Sequence, residues 1–268
     1  MNWQAAKDVL GALAAEPRFG LISDMDGTLA PIILHPEDSR PTERNRQLLA
    51  ELSKLLPLVA VVSGRGAADL AQRVDIPGLV YVGNHGFDRM VGEELQVAPG
   101  ALAFRPALEV ALAGIRGFLE DGAVLEDKGA TLTVHYRRHQ QPEEFAARAR
   151  PGFQHLAAEL DLKLSEGRMV FELKPPVELD KGTALQDLIE EAQLDAALFL
   201  GDDVPDMPAL VMARQLREAG KCSAWGVAVQ SEEAPEEVAA TADFTSSGVE
   251  DVEALLAWLL SMRKASST

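Results

Sequence analysis

The sequence predicts an α/β fold, a mostly parallel sheet covered by helices, with a smaller α+β module inserted into it. Three observations predict this. Continuous apolar runs, too short for helices, recur at 19–23, 58–63, 79–83, 196–201, 224–229 and 243–245. Segments of helical period lie between several of them, at 43–56, 66–74 and 183–192, and strands buried on both faces that alternate with helices belong to parallel sheets. Polar residues then follow the runs: Asp24 and Asp26, Ser63, Asn84 and His85, Asp202 and Asp203. In a parallel sheet these would gather beyond the carboxyl ends of the strands, where such folds bind ligands.

The middle of the chain has another pattern. Stretches 123–127, 131–137, 162–165 and 169–173 read as strands, several alternating apolar with polar, and helical segments at 102–119 and 142–160 lie among them. We place the inserted module at 88–174, which leaves a core formed by 1–87 and 175–268.

Composition narrows the function classes. The 268 residues contain 25 Lys plus Arg against 42 Asp plus Glu, a formal charge of −17. Such a chain repels nucleic acid and anionic membrane surfaces, so neither is an expected partner, and no obligate protein partner is evident. An anionic ligand would need a site of concentrated cations, a metal ion or backbone N–H groups. No run of about 18 apolar residues is present, and the first 20 residues lack the pattern of a signal peptide, so a cytoplasmic location is expected. The single Cys222 cannot form an internal disulfide and is expected to be buried; residues 264–268 are expected to fray.

Four motifs carry the chemistry. In Phe19-Gly-Leu-Ile-Ser-Asp24-Met-Asp26-Gly-Thr28-Leu, an apolar strand delivers two carboxylates to a turn opened by Gly27. Residues i and i+2 of an extended chain face the same way, so both acids can address one centre. A hard cation such as Mg2+ suits that oxygen set, one carboxylate could attack phosphorus and the other could handle a proton. The plain alternative is a polar turn ending a strand. Next, Val61-Val-Ser63-Gly64-Arg65 offers a hydroxyl, backbone N–H groups and a helix start for a phosphate oxygen, or simply an N-cap. Third, Asp180-Lys181-Gly-Thr183 opens a helix with a cation that could offset charge at a nucleophile, or an ordinary exposed Lys. Last, Gly201-Asp202-Asp203-Val-Pro-Asp206 puts acids at another strand end, where Asp202 could join Asp24 and Asp26, or forms a solvated acidic loop. The order of all four, each at a strand or helix terminus, favours the functional reading.

Together the motifs resemble the haloacid dehalogenase superfamily of phosphotransferases, which implies a Rossmann-like core with a C2-type inserted cap. The resemblance makes Asp24 the nucleophile, Asp26 the general acid and base, and Lys181 the residue that orients the nucleophile and offsets charge. It assigns phosphate to Asp24, Thr28, Ser63, Gly64, Arg65 and Lys181, and Mg2+ to the Asp24 carboxylate, the Asp26 carbonyl and Asp202. Asp203 and Asp206 receive supporting roles. The Met25 side chain is expected to point away from this centre.

The insert narrows the substrate. Glu126-Asp-Lys128, Leu132-Thr-Val-His135-Tyr-Arg137 and Glu166-Gly-Arg168-Met-Val-Phe-Glu172-Leu-Lys174-Pro are similar to trehalose-phosphatases in order and spacing, as are Gly83-Asn-His85-Gly86 and Pro31-Ile-Ile. That resemblance implies hydrolysis of trehalose 6-phosphate, with sugar hydroxyls bound by Glu126, Lys128, Arg168 and Glu172 and substrate contact from His85. The expected partner is therefore a small sugar phosphate; sucrose 6-phosphate and mannosyl-3-phosphoglycerate are the alternatives. Lys174 stands where many relatives have Arg, and Leu179 where many have an aromatic residue.

Overall fold

The structure is a computed structural model that describes residues 1–167, 169–231 and 234–266. In chain order its strands are β1 (Phe19–Ser23), β2 (Leu58–Val62), β3 (Val80–Gly83), β4 (Asp88–Val91), β5 (Glu94–Val97), β6 (Val124–Asp127), β7 (Leu132–His135), β8 (Lys163–Gly167), β9 (Val170–Lys174), β10 (Ala196–Gly201), β11 (Ser223–Val229) and β12 (Phe244–Ser246). Its α-helices are α1 (Lys7–Ala15), α2 (Glu43–Leu52), α3 (Ala67–Val74), α4 (Pro99–Leu102), α5 (Arg105–Arg116), α6 (Pro142–Glu159), α7 (Lys181–Glu191), α8 (Met207–Glu218), α9 (Glu236–Thr241) and α10 (Val249–Ser266). None of the described helices is long and apolar enough to cross a membrane. The chain divides into two compact units: Met1–Gln96 with Leu179–Thr268, and Val97–Glu178.

Unit 1 is built on a sheet of order β12-β11-β10-β1-β2-β3-β4-β5, parallel from β12 to β3 and antiparallel between β3 and β4. Its central strands are apolar throughout because both faces are covered. Leu21, Val59, Val61, Leu198 and Leu200 pack with Leu10, Leu48, Leu255 and Leu259 on one face. Their neighbours Ile22, Ala60, Val62, Ala197 and Phe199 pack with Leu185, Leu188, Leu210 and Ala213 on the other. Alternate residues of a strand point to opposite faces, so a strand filling two cores has no polar position until its end.

Unit 2 carries the antiparallel sheet β6-β7-β9-β8. Leu132, Val134, Phe171 and Leu173 face a core shared with Leu108, Ala111 and Ile115 of α5 and with Phe145 and Phe153 of α6. The Phe153 and Phe171 rings stack 4.5 Å apart at its centre. This sheet is apolar on one face only, which gives the alternation seen in the sequence.

Three expectations are corrected. The expected insert, 88–174, differs from the second unit, Val97–Glu178, because β4 and β5 extend the core sheet at its β3 edge. As edge strands with polar residues they lack the continuous apolar signature of the central strands. Of residues 264–268, expected to fray, 264–266 are helical as the end of α10, with Lys264 Nζ 3.4 Å from Glu51 Oε2, and 267 and 268 lie outside the described residues. The helical segment at 102–119 is shorter and broken, as α4 and α5, with Pro106 in the first turn of α5.

Candidate active site

The strand order turns at β1. The chain runs from β1 outward through β2 and β3 on one side, while β10, β11 and β12 lie on the other. In open parallel sheets ligands bind at such a switch point, which here lies at the carboxyl ends of β1 and β10. Asp24 follows β1 directly, and its backbone N–H donates to the Leu200 carbonyl of β10 at 2.8 Å. Met25 points into the core, fully buried, as expected. Gly27 has φ +83°, and a Cβ there would sit 1.9 Å from Asp202 Oδ2. Glycine thus lets the chain turn and lets Asp202 approach the first motif. The Thr28 hydroxyl donates to Asp202 Oδ1 at 2.9 Å.

Lys181 opens α7, whose start is set by a reciprocal cap: the Thr183 N–H donates to Asp180 Oδ1 at 2.8 Å, and the Asp180 N–H donates to Thr183 Oγ1 at 3.0 Å. The cap aims Lys181 inward, where only 3% of its side chain is exposed. Its Nζ lies 2.8 Å from Asp24 Oδ1 and 2.6 Å from Asp206 Oδ1. The other Asp206 oxygen accepts the N–H groups of Asp202 at 3.0 Å and Asp203 at 3.1 Å. Asp206 is therefore the anchor that holds both the cation and the loop after β10. Asp203 is exposed and caps the following turn, accepting the Val204 N–H at 2.8 Å.

Burial raises the Asp24 carboxyl well above the ordinary carboxylate range; Lys181 opposes this, and Asp206 and Asp202 add to it. Burial, with Asp206 next, pushes Asp202 to about 7. Burial works to lower Lys181, but Asp206 and Asp24 outweigh it and hold the ammonium above its usual value. The site thus concentrates negative charge that one buried lysine only partly offsets.

Asp26 is held differently. Arg65 donates to it as a fork, Nε to Oδ2 at 2.7 Å and Nη2 to Oδ1 at 2.9 Å, and the Ser39 hydroxyl donates to Oδ1 at 2.6 Å. Burial works to raise this carboxyl, but the hydrogen bonds and charge of Arg65 prevail and hold it below the ordinary range. Arg65, which the resemblance assigned to phosphate, is thus paired with the second carboxylate here. Ser63 is buried at the end of β2, its hydroxyl accepting the Arg65 N–H at 3.2 Å. Asn84 and His85 both adopt left-handed backbone, φ +49° and +58°. The Asn84 side chain donates to Asp88 Oδ2 at 3.0 Å, and the His85 N–H donates to the Ser63 carbonyl at 3.0 Å. Those bonds sustain a conformation that costs on the order of 1 kcal/mol per residue. They set the His85 ring over Gly64, where a Cβ would lie 2.7 Å from its Cε1 and Nε2.

Among the described residues, Asp24, Asp202 and Asp206 form a carboxylate group able to hold a metal ion. Both Asp206 oxygens already bind Lys181 and backbone N–H groups, so Asp24 and Asp202 are the better donors. Two close, buried, mutually repelling carboxylates without His or Cys fit a hard divalent cation.

The structure brings Asp24, Asp26, Thr28, Ser63, Gly64, Arg65, His85, Lys181 and Asp202 together in unit 1. Glu126, Lys128 and Glu172 belong to unit 2, and Arg168 lies outside the described residues. Glu172 projects from β9 on the face opposite the helices, with Thr131 Oγ1 3.4 Å and Thr133 Oγ1 3.5 Å from its Oε1. Glu126 pairs with His135 Nε2 at 2.9 Å on that face. The loop carrying Lys128 is fixed by Arg105, whose Nη1 donates to Asp127 Oδ1 at 2.9 Å and to the Gly129 carbonyl at 2.8 Å. Sequence reasoning missed Ser39, which carries no local signal in an irregular loop. It also left the role of Asp206 open, although the acidic motif had marked it.

Comparison with known proteins agrees with this architecture. The family model described as trehalose-phosphatase matches residues 22–244. The trehalose-phosphate phosphatase of Mycobacterium marinum is 35% identical over 204 residues, covering 72% of this chain and 51% of that protein. The chain spans about half the length of the curated relatives it matches. A solved trehalose-6-phosphate phosphatase related protein has a TM-score of 0.76 at 19% identity, covering 92% of this chain and 99% of that one. A haloacid dehalogenase-like hydrolase from Bacteroides thetaiotaomicron has a TM-score of 0.64 at 16% identity, covering 90% and 99%. At such identities the likeness shows the fold, the haloacid dehalogenase α/β fold expected from the motifs. The family match spans the four motifs and the inserted unit, and the chain belongs to the trehalose-phosphatase family.

Proposed function

We propose that the protein is a Mg2+-dependent phosphatase that hydrolyses trehalose 6-phosphate to trehalose and phosphate through an aspartyl-phosphate on Asp24. The observation that carries this reading is the buried contact of Lys181 with both Asp24 and Asp206, beside Asp202 and within the span of the family match. A lysine locked between two buried carboxylates works against the burial that favours neutral Asp24 and keeps that carboxyl aimed, without giving up its own charge.

Asp24 attacks phosphorus as the bond to the sugar 6-oxygen breaks. Once Arg65 has turned to the phosphate, Asp26 takes up a proton from solvent and gives it to that oxygen, then takes one back from the water that cleaves the aspartyl-phosphate. Thr28, Ser63 and Gly64 hold phosphoryl oxygens, and Arg65 turns from Asp26 toward the dianion. Mg2+, held by Asp24, Asp202 and the Asp26 carbonyl, would supply Lewis-acid neutralisation of the phosphoryl charge. Sugar hydroxyls are assigned to Glu126, Lys128, Arg168 and Glu172, which would hold them by charge-assisted hydrogen bonds, and a substrate contact is assigned to His85.

Phosphate release is measured on trehalose 6-phosphate, sucrose 6-phosphate, mannosyl-3-phosphoglycerate and glucose 6-phosphate, with Mg2+ and with EDTA. A preference of about a hundredfold in kcat/KM for the first, roughly 3 kcal/mol, is the expected result. Equal rates across the panel would remove the disaccharide assignment, and full turnover in EDTA would remove the metal.

A further inference from the structure

Asp26 is gripped from two sides by groups of different kinds. Arg65 brings a charged fork, and Ser39, only 3% exposed, brings a neutral hydroxyl at 2.6 Å. Ser39 sits just beyond a turn of 3-10 helix, Pro36–Asp38, and that segment is tied to α3. Arg73 Nη1 donates to the Glu37 carbonyl at 2.7 Å and to the Ser39 carbonyl at 3.1 Å. Arg40 Nη1 donates to the same Ser39 carbonyl at 2.9 Å. Arg73 Nε donates to Asp69 Oδ2 at 2.6 Å, and that oxygen lies 3.6 Å from Arg65 Nη1. The contacts close a ring: Asp26, Ser39, Arg73, Asp69, Arg65 and back to Asp26.

The two grips have different prospects during a reaction. A guanidinium fork fits a phosphate dianion as well as it fits a carboxylate, so an arriving phosphate competes for Arg65. The hydroxyl of Ser39 is anchored through its own backbone to α3 and carries no charge to be drawn away. A hydroxyl also both donates and accepts, so it can hold a carboxylate and a carboxylic acid alike.

We propose that Ser39 is a positioning residue that keeps the Asp26 carboxyl aimed at the leaving oxygen while Arg65 is engaged by the phosphate. This rests on the phosphatase reading above, in which Asp26 serves the leaving group. Ser39 itself touches neither substrate nor metal; it acts through Asp26, and Arg73 acts through Ser39.

The test compares the first turnover of two substrates in Ser39→Ala with Mg2+, by rapid quench. Trehalose 6-phosphate leaves as an alkoxide that needs a proton, whereas p-nitrophenyl phosphate leaves as a stable phenolate that does not. The expected result is a loss of about tenfold in the first-turnover rate on trehalose 6-phosphate, KM within about twofold of the parent, and an unchanged burst of p-nitrophenolate. Ser39→Thr, which keeps the hydroxyl, returns the sugar-phosphate rate to within about threefold. Parallel losses on both substrates, no loss on either, or a Thr variant as slow as the Ala variant would overturn the assignment. Asp24→Asn separates the two levels. Turnover near the parent rate in it overturns the aspartyl-phosphate reading on which the Ser39 role rests, and both fall together; an unaltered Ser39→Ala in an enzyme that Asp24→Asn silences overturns the Ser39 role alone.

Discussion

The ends of β1 and β10 and the open face of the β6-β7-β9-β8 sheet present the same kinds of side chain, yet hold them in opposite ways. At the strand ends, Asp24, Asp202, Asp206 and Lys181 are almost wholly buried and compensate one another. On the open face, Glu126 and His135 pair with nearly half of each side chain in water, and Glu172 lies among threonines with Lys174 Nζ 3.9 Å away. A buried charge persists only with a partner, so the first cluster is a unit whose members cannot be removed singly without penalty. A solvated pair exchanges protein for water at little cost. The first arrangement suits chemistry that never changes; an exposed pair such as Glu126 and His135 contributes little to the fold and can serve a ligand, and Glu172, with 15% of its side chain exposed, lies between the two cases.

Four substitutions break or sharpen that contrast. The largest effect is expected from Asp24→Asn: turnover with Mg2+ falls by about a thousandfold or more, while the fold is kept, since Lys181 retains Asp206. Circular dichroism and thermal melting check the fold, and residual turnover near the parent rate would end the assignment of Asp24. Asp206→Ala follows. It strips Lys181 and two backbone N–H groups of their acceptor, so stability in urea is expected to drop by about 3–5 kcal/mol, with kcat falling as Lys181 loses its aim. A loss below about 1 kcal/mol would mean that water replaces Asp206 and that the cluster is not a unit.

Glu172→Ala is expected to lower kcat/KM on trehalose 6-phosphate by about tenfold or more and to leave a small aryl phosphate unaffected. Equal losses on both would place Glu172 in support of unit 2 rather than in recognition. The smallest effect is expected from His135→Ala, which removes only the exposed contact with Glu126. The melting temperature should move by less than about 2 °C at low salt and not at all in about 1 M NaCl. A larger, salt-independent shift would show that the open face carries stability after all.

Much of this was legible beforehand, and for identifiable reasons. The runs at 19–23, 58–63 and 196–201 became β1, β2 and β10 to within a residue, because a strand buried on both faces must be apolar throughout and end where polarity begins. The alternation in 169–173 marked β9 because unit 2 covers one face of its sheet. The hairpin of β4 and β5 is not legible as part of the core, since an edge position tolerates polar residues such as Asp88, Arg89 and Glu94 and erases the apolar signal. Burial of Cys222 followed from composition alone, and in the structure burial pushes its thiol up to about 11.

The sequence by itself determined the order of the motifs, the strand ends that carry them and the residue types available for chemistry. Those depend on local hydrophobic period and on turn formation, both written along the chain. Only the tertiary structure decided which charge meets which. Asp203 and Asp206 stand three residues apart in one acidic motif, yet one caps a turn in solvent and the other lies fully buried against Lys181. Arg65 and Ser39 reach Asp26 from segments 39 and 13 residues away. Coulomb energy and desolvation depend on distance and burial, and the chain acquires both only when its distant segments are packed together.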